Sequence, residues 1–213
     1  MKHDSIIAQE GYPFIVFSLI ITVFVAFLGV CWLLILSALI SFFILWFFRN
    51  PERYFREEEK VVISPADGKV IKVENIEMAG SMAGKYQKIS IFMNVFSVHV
   101  NRIPYNGKIE AIEYHEGKFV SANLDKASSD NERNAIKILT ENGSAIWAVQ
   151  IAGLIARRIV CWVKKGDTVK KGERFGLIRF GSRVDVYLPE SSRITVKIGQ
   201  KVRAGESSLG YLP

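Results

Sequence analysis

The chain is organised around the stretch Phe180-Gly181-Ser182-Arg183-Val184-Asp185-Val186-Tyr187-Leu188-Pro189. Its second half alternates large apolar residues with other types, and this period of two predicts a β-strand. The Gly-Ser pair before the strand has two interpretations. It is typical of a turn, and it also places a serine hydroxyl beside the preceding carbonyl, where glycine leaves the approach uncrowded and tolerates strained angles.

Short runs of β-branched residues, broken by glycine, fill most of the chain before this stretch and predict a mainly β domain. The predicted strands cover residues 61–63, 69–73, 89–95, 108–112, 136–139, 145–151 and 158–163. Pro-Ala-Asp-Gly at 65–68 predicts a turn, and Asn-Gly at 106–107 and at 142–143 predicts two tight hairpins. Residues 121–134, which are mostly polar, are expected to form the one long loop.

An internal repeat near the carboxyl end specifies the kind of β domain. Val163-Lys-Lys-Gly-Asp-Thr-Val-Lys-Lys-Gly-Glu173 recurs as Val196-Lys-Ile-Gly-Gln-Lys-Val-Arg-Ala-Gly-Glu206. Each copy predicts two glycine turns around an inward-facing valine, as in the flattened barrel-sandwich of lipoyl and biotinyl carrier domains. A membrane-tethered carrier or interaction module is therefore one hypothesis, with Lys126 in Leu-Asp-Lys-Ala as its attachment site. However, the modified lysine of carrier domains follows such a turn, and Lys126 precedes it.

Residues 14–48 contain no Asp, Glu, Lys or Arg. One upright helix needs about 20 apolar residues to cross a bilayer, so this run is too long for one helix and short for two full spans. Gly29 near its middle favours a hairpin of two short helices, with one long tilted helix or a buried core helix as alternatives. A cleaved signal peptide is not favoured, since Asp4 and Glu10 precede the run and no small-residue cleavage site follows.

The sequence thus predicts a membrane-associated helical segment at 1–48, a charged connector at 49–60 and a β domain at 61–213. The connector is expected to hold a short helix. Arg49, Arg53 and Arg56 follow the apolar run and place the β domain at the cytoplasmic face of the cell membrane. The formal net charge of +7 favours anionic lipid headgroups as partners. Nucleic acid is not favoured, because no reading module is recognisable, and two cysteines are too few for a disulfide framework or a thiolate metal cluster.

Three groups with complementary chemistry are spread along the chain: Asp67, His99 and Ser182. His99 lies at a strand end bounded by Pro104, whereas His3 and His115 lie in polar segments. A histidine can take the proton of a serine hydroxyl, and an aspartate can fix the tautomer of that histidine. The residues alone leave the simpler roles open, with Asp67 as a turn former and His99 as a hydrogen-bonded strand residue.

Three motifs in order resemble one family. They are Ser64-Pro-Ala-Asp-Gly68, Phe92-Met-Asn-Val-Phe-Ser-Val-His-Val-Asn-Arg102, and Phe180-Gly-Ser-Arg-Val-Asp-Val-Tyr-Leu-Pro189. Together with the apolar amino-terminal run, they closely resemble phosphatidylserine decarboxylases of the short prokaryotic type. The resemblance implies a proenzyme that cuts itself between Gly181 and Ser182 into a β chain, 1–181, and an α chain, 182–213, which stay together as a heterodimer. Arg183 and Phe96 depart from the longer members, which have threonine and an additional histidine at these positions.

The resemblance also implies the chemistry. Ser182, activated by His99 with Asp67 behind it, would attack the Gly181 carbonyl, and elimination would convert residue 182 into a covalent pyruvoyl group. That carbonyl would combine with the headgroup amine of phosphatidylserine and accept the electrons released with CO2, giving phosphatidylethanolamine without a metal. His99 is our expectation for the later proton donor. Archaetidylserine is an alternative substrate, and the residues expected to contact the lipid phosphate are Arg102, Arg157, Arg158 and Arg183.

Overall fold

The computed structural model describes residues 5–55, 58–117, 131–153, 158–179 and 182–213. The chain forms two compact units, Met1–Glu52 and Arg53–Pro213. The boundary between them falls inside the predicted connector. Within the described part of that connector there is no helix, so the short helix expected there is wrong for these residues. Pro51 accounts for part of this difference, because it disfavours helical angles at Asn50 and lacks an amide donor.

The first unit is a pair of helices, α1 (Tyr12–Phe27) and α2 (Cys31–Phe47). Gly29 lies between them with φ of +68°, a left-handed conformation that glycine adopts without steric cost. The side-chain oxygens of Thr22 and Ser41 lie 3.0 Å apart and join the two helices. The apolar run therefore forms a helical hairpin rather than one continuous helix. The segment Gln9–Phe27, which includes a 3-10 turn, has the length and apolar composition to cross a membrane, and α2 is shorter.

The second unit contains fourteen strands among its described residues. They are β1 (Val61–Ile63), β2 (Gly68–Met78), β3 (Gly84–Met93), β4 (Val100–Arg102), β5 (Gly107–His115), β6 (Arg133–Leu139), β7 (Ala145–Ala152), β8 (Ile159–Cys161), β9 (Thr168–Val169), β10 (Arg174–Ile178), β11 (Ser182–Pro189), β12 (Arg193–Ile194), β13 (Lys201–Val202) and β14 (Ser208–Tyr211). Eight of them form one sheet in the order β13-β2-β3-β11-β7-β6-β5-β9, which curls into a half-barrel. The smaller sheets are β1-β14-β12 and β4-β10-β8. The prediction of a mainly β, flattened-barrel domain is confirmed.

Strand β11 lies in the middle of the large sheet, antiparallel to β3 on one side and to β7 on the other. Its side chains alternate between two buried surroundings. Val184, Val186 and Leu188 belong to the main core, whereas Tyr187 packs with Trp147 in a second apolar cluster. Side chains in a strand alternate between its two faces with a period of two, so the even-numbered and the odd-numbered residues of β11 lie on opposite faces. Ser182 therefore shares the face of the main core, and its neighbour Arg183 does not.

The internal repeat forms the paired turns that the sequence predicts. Gly166 and Gly172 in the first copy have φ of +96° and +85°, and Gly199 and Gly205 in the second have +92° and +75°. The valine between each pair, Val169 or Val202, is buried in the main core. Only glycine takes these backbone angles without strain, which explains why both copies keep it at the same places. Lys126, the attachment site of the carrier hypothesis, lies outside the described residues.

Some local predictions differ from the structure. Asn106-Gly107 leads from β4 to β5, which belong to different sheets, so the tight hairpin expected there is wrong. Instead, the Asn106 side chain accepts a hydrogen bond of 2.7 Å from the backbone of Lys171. Asn142-Gly143 does lie in a hairpin, between β6 and β7. Strand β6 begins at Arg133, so it includes the last residues of the predicted 121–134 loop, whose residues up to 130 are not described.

The two glycines of the second repeat give a matched pair for testing the turns. An added Cβ would meet nothing closer than 3.9 Å at Gly199, whereas at Gly205 it would lie 2.7 Å from Arg102 Cδ. Both substitutions to alanine should lose about 1–2 kcal/mol from the positive φ. Gly205→Ala should lose about 1–3 kcal/mol more through overpacking. Urea unfolding of the full-length variants in detergent would measure the difference, and equal losses would contradict the crowding argument.

Candidate active site

Ser182 is the first residue of β11 and is fully buried. Its backbone is paired with Met93 on β3 and with Ala152 on β7, so its position is fixed from both sides. The hydroxyl oxygen lies 3.3 Å from the sulfur of Met93, a weak hydrogen-bond acceptor. The serine is therefore buried, and among the described residues its hydroxyl has a weak partner. Gly181, predicted as the other half of the cleaved bond, lies outside the described residues.

His99 comes directly before β4 and is also fully buried. Its ring nitrogen Nδ1 lies 2.9 Å from the backbone oxygen of Ser97. A carbonyl can only accept a hydrogen bond, so in the neutral ring Nδ1 carries the proton and Nε2 carries the lone pair. The backbone oxygen of His99 accepts a hydrogen bond of 3.3 Å from Ile178 on β10. The histidine is thus held in the tautomer that a general base requires.

Asp67 makes other contacts than the sequence predicts. One carboxylate oxygen pairs with Arg53 at 3.0 Å, and the other accepts a hydrogen bond of 2.7 Å from the backbone of Ala204. Among the described residues, Asp67 and His99 share no hydrogen bond. Arg53 also pairs with Glu206 at 3.1 Å, so Asp67 belongs to a small ion cluster around the second repeat. The proposed orientation of His99 by Asp67 stays a prediction.

Three buried amides form a part of the site that sequence reasoning missed. Asn134 donates a hydrogen bond of 3.0 Å to Gln150, and Gln150 donates one of 2.9 Å to Asn101. The side-chain nitrogen of Asn101 lies 3.7 Å from the sulfur of Met93, which is also the partner of Ser182. The signal was a polar residue at a core position, since Gln150 interrupts an otherwise apolar strand. The motif Val-His-Val-Asn held the same signal for Asn101.

Two of the arginines predicted as phosphate ligands, Arg183 and Arg102, have partners inside the protein. Arg183 is buried on the opposite face of β11 and binds the Asp185 carboxylate through two nitrogens, at 2.9 and 3.0 Å. Arg102 is buried too, and it donates a hydrogen bond of 2.8 Å to the backbone oxygen of Gly172. Arg158 is exposed, and Arg157 lies outside the described residues. The structure therefore gives Arg102 and Arg183 contacts inside the protein.

A cluster of charges lies on the face of the sheet opposite Ser182. Lys88 is 3.6 Å from Asp185 and 3.2 Å from Glu74, so it connects the buried Arg183–Asp185 pair to the sheet edge. Burial would raise the pKa of Glu74, but hydrogen bonds from Lys72 and Lys88 outweigh it and hold the pKa below its usual value. The stability contributed by Glu74 is therefore present above its unfolded pKa and lost as the pH falls. Burial and the Asp185 charge raise the pKa of Tyr187, which stays protonated.

Other reactive groups in the described residues are poorly suited to chemistry at neutral pH. Burial raises the pKa of the Cys161 thiol, so it is mostly protonated and a weak nucleophile. Within the described part of the chain, no group of three or more His, Cys, Asp or Glu side chains is placed to hold a metal ion. The candidates that remain are the buried Ser182 hydroxyl and the His99 imidazole, which share no hydrogen bond with each other among the described residues.

Comparison with known proteins identifies the family to which the chain belongs. The family model for phosphatidylserine decarboxylase matches residues 40–210. A phosphatidylserine decarboxylase proenzyme of Syntrophus aciditrophicus is 56% identical over 211 residues, covering 99% of this chain and 99% of that protein. Proteins of the same name from Desulfotalea psychrophila and Cupriavidus pinatubonensis are 48% and 49% identical, covering 97% of this chain and 96% and 95% of their own lengths. The chain belongs to the phosphatidylserine decarboxylase family.

The buried Arg183–Asp185 pair should respond very differently to single and paired substitutions. Asp185→Leu leaves the Arg183 charge buried beside Lys88 and should lower the free energy of unfolding by about 3–5 kcal/mol. Arg183→Met together with Asp185→Leu should recover part of that loss, because both charges of the pair are removed together. Chemical unfolding of the two single variants and the double variant measures the coupling. A double variant as unstable as the sum of both singles would contradict it.

Proposed function

We propose that the protein decarboxylates phosphatidylserine to phosphatidylethanolamine and CO2, after cutting itself between Gly181 and Ser182. The observation that carries the proposal is the buried Ser182 hydroxyl at the first position of a central strand. It is supported by relatives that are called proenzymes and match nearly the whole chain. The name of those relatives supplies the substrate, and the position of Ser182 supplies the residue that would react.

In the proposed self-cleavage, Nε2 of His99 takes the hydroxyl proton of Ser182, and the hydroxyl oxygen attacks the Gly181 carbonyl carbon. The peptide C–N bond breaks, the nitrogen receives the proton, and an ester replaces the amide. Loss of the Ser182 α-proton then expels the Gly181 carboxylate and leaves a dehydroalanine. Water converts that residue into an amino-terminal pyruvoyl group with release of ammonia. Residues 1–181 and 182–213 become separate chains.

The surroundings of position 182 fit a pyruvoyl group. The group derives its atoms from the serine already there, and the neighbouring Met93 sulfur and the neutral amides provide a buried, uncharged setting. When formed, the group supplies a carbonyl that combines with the headgroup amine and accepts the electron pair released with CO2. The strand ladders on both sides of β11 hold this residue in place. His99, no longer needed for cleavage, is our proposal for the proton donor that follows.

The membrane would provide both the substrate and the anchor. The outward side chains of α1 and α2 include many exposed large apolar residues, such as Phe24, Phe27, Trp32 and Phe42. Such a surface is stable in contact with lipid and costly in water. We place the β domain at the cytoplasmic face, with the helical hairpin inserted into the cell membrane. The positive charge of the chain would favour anionic headgroups.

Ser182→Ala should abolish both self-cleavage and CO2 release, because alanine has no oxygen with which to attack or to form the pyruvoyl group. Wild-type protein should give two bands on a denaturing gel, and the mass of the smaller chain should correspond to residues 182–213 with a pyruvoyl terminus. Ser90→Ala is the matched control. Ser90 is equally buried, and in the described structure its hydroxyl lacks a hydrogen-bond partner. A folded wild-type chain that stays intact would refute the proposed cleavage.

Substitution of the two other predicted residues separates their roles. His99→Ala should slow cleavage by about 10²–10⁴-fold, since it removes the general base. The exposed His115, changed to alanine, should leave the rate unchanged. Asp67→Asn should also slow cleavage, and by more than Arg53→Met, if Asp67 acts on His99 rather than only through its ion pair with Arg53. The rate of appearance of the small chain measures all four, and equal rates for Asp67→Asn and Arg53→Met would remove the role for Asp67 as the orienting residue.

A further inference from the structure

The hydrogen bonds among the three buried amides run in one direction, from Asn134 to Gln150 and from Gln150 to Asn101. Because the amide nitrogen of Gln150 donates to the Asn101 side-chain oxygen, that oxygen is occupied and the Asn101 nitrogen faces Met93. Asn134 in turn fixes Gln150 by donating to its oxygen. All three residues are at most 2% exposed. Burial of amides is unfavourable unless they bond one another, so this chain holds the Asn101 nitrogen in a defined orientation.

The packing around Gln150 shows how tightly this orientation is kept. Gly176 on β10 is paired with Asn101 by register, and an added Cβ there would lie 2.8 Å from the Gln150 amide nitrogen. Glycine in a strand interior often marks such a close approach. The amide of Gln150 therefore lies directly over the backbone of β10, next to Asn101. Neither amide can turn without disturbing the core.

Within the part of the chain that the structure describes, two hydrogen-bond donors next to position 182 share a weak acceptor. The hydroxyl of Ser182 and the amide nitrogen of Asn101 lie 3.3 and 3.7 Å from the same Met93 sulfur. A thioether accepts hydrogen bonds only weakly, and a buried donor without a strong acceptor is costly. Two donors facing one sulfur thus define a place that suits an oxygen acceptor. Conversion of Ser182 would remove one of them and leave the amide of Asn101.

We infer that the side-chain amide of Asn101 binds the carboxylate of the substrate headgroup, beside the carbonyl formed at position 182. The inference rests on the proposed function and names the residue that recognises the group to be lost as CO2. Gln150 and Asn134 are the positioning residues that aim the Asn101 amide. The headgroup is an amino acid, so its amine and carboxylate are attached to one carbon. An amine held at residue 182 brings the carboxylate near the adjacent Asn101.

A neutral donor suits this reaction better than an arginine or lysine would. The carboxylate loses its negative charge as CO2 forms, so a cation would stabilise the bound substrate more than the transition state and raise the barrier. A neutral amide also binds the carboxylate through a hydrogen bond, but it stabilises the bound substrate less than a cation would, so less stabilisation is lost as CO2 forms. In the described residues, every side-chain partner of Asn101, Gln150 and Ser182 is neutral. The arginine nearest in sequence, Arg183, lies on the other face of the strand, bound to Asp185.

The same amide would let the enzyme tell substrate from product. Phosphatidylethanolamine has the amine and the phosphate but no carboxylate, so binding it leaves the Asn101 nitrogen facing only sulfur. Sites that supply a hydrogen bond reject ligands that cannot complete it. A hydrogen bond to a charged group corresponds to about ten- to hundred-fold in affinity. Asn101 is thus a specificity-determining residue that reduces capture by product in a membrane that contains both lipids.

The test measures which lipid reaches position 182. Purified, self-cleaved full-length protein is mixed in detergent micelles with equal amounts of phosphatidylserine and phosphatidylethanolamine deuterated in its ethanolamine carbons. Cyanoborohydride then reduces the adducts, and the mass of the 182–213 chain shows which lipid each carries, whether or not CO2 has left. For wild type, adducts from phosphatidylserine should predominate. In Asn101→Ala, the ratio of adducts from phosphatidylserine to adducts from phosphatidylethanolamine should fall by about ten-fold or more.

Gln150→Met leaves Asn101 in place without its support, so its ratio should fall by less than that of Asn101→Ala. Asn75→Ala, at an exposed position on β2, should keep the wild-type ratio. A cleaved Asn101→Ala protein with an unchanged ratio overturns the inference, and so does a folded but uncut one, which would assign Asn101 to self-cleavage. If Asn101→Ala does not fold, the Gln150→Met ratio decides, and failure of both to fold assigns the amides a structural role only. Wild-type protein that forms no adduct refutes the proposed function instead.

Discussion

The site depends on the double pairing of β11 inside the large sheet. Backbone hydrogen bonds to β3 and β7 fix the register of the strand from both edges, so the side chains have no freedom to exchange faces. Ser182 must then point into the main core, and Arg183 must point away from it. This constraint also bears on the proposed cleavage. After a break before residue 182, the new chain would still be paired with β3 at eight positions, in addition to its pairing with β7.

The two faces of the sheet handle polar groups in opposite ways. On the Ser182 face, Asn134, Gln150 and Asn101 are neutral amides that form hydrogen bonds with one another. On the other face, full charges are buried as pairs, with Arg183 bound to Asp185 and Lys88 nearby. Strand β11 thus places the Arg183–Asp185 pair on the face opposite Ser182. This placement explains why a motif can hold a serine and an arginine side by side without the arginine entering the site.

The repeat contributes to the site through the loops that it positions. Its glycine turns allow the chain to fold back sharply. The backbone polar atoms of these turns form hydrogen bonds with neighbouring segments. Ser64 accepts a hydrogen bond from the Gly205 amide, and Arg102 donates one to the Gly172 oxygen. The Asp67 carboxylate binds the Ala204 amide in the same region. The segments carrying Asp67 and His99 are therefore fixed by the repeat, even though these two side chains have different partners.

The sequence by itself determined the class of fold, the apolar segment and the serine that we propose as the reactive residue. Period-two alternation, glycine at the repeated turns and a run without charges are local properties, and each is set by backbone geometry or by solvation of neighbouring residues. The motifs added family membership, because three ordered matches are specific. Local patterns could also indicate that Asn101 and Gln150 were unusual, as polar residues among apolar ones.

The tertiary structure decided which of these residues meet. Whether Arg183 faces the lipid or Asp185 depends on the faces that strand pairing assigns, and the partners of Asp67 include Ala204, which lies 137 residues away in the sequence. The sequence gives the charge and the hydrogen-bonding capacity of a residue but not its partner. For that reason Arg102 and Arg183 were expected to bind a phosphate, whereas the structure shows them bound to other groups of the protein. The amide chain could not be foreseen for the same reason, since its three members come from three strands of two sheets that only the folded domain brings together.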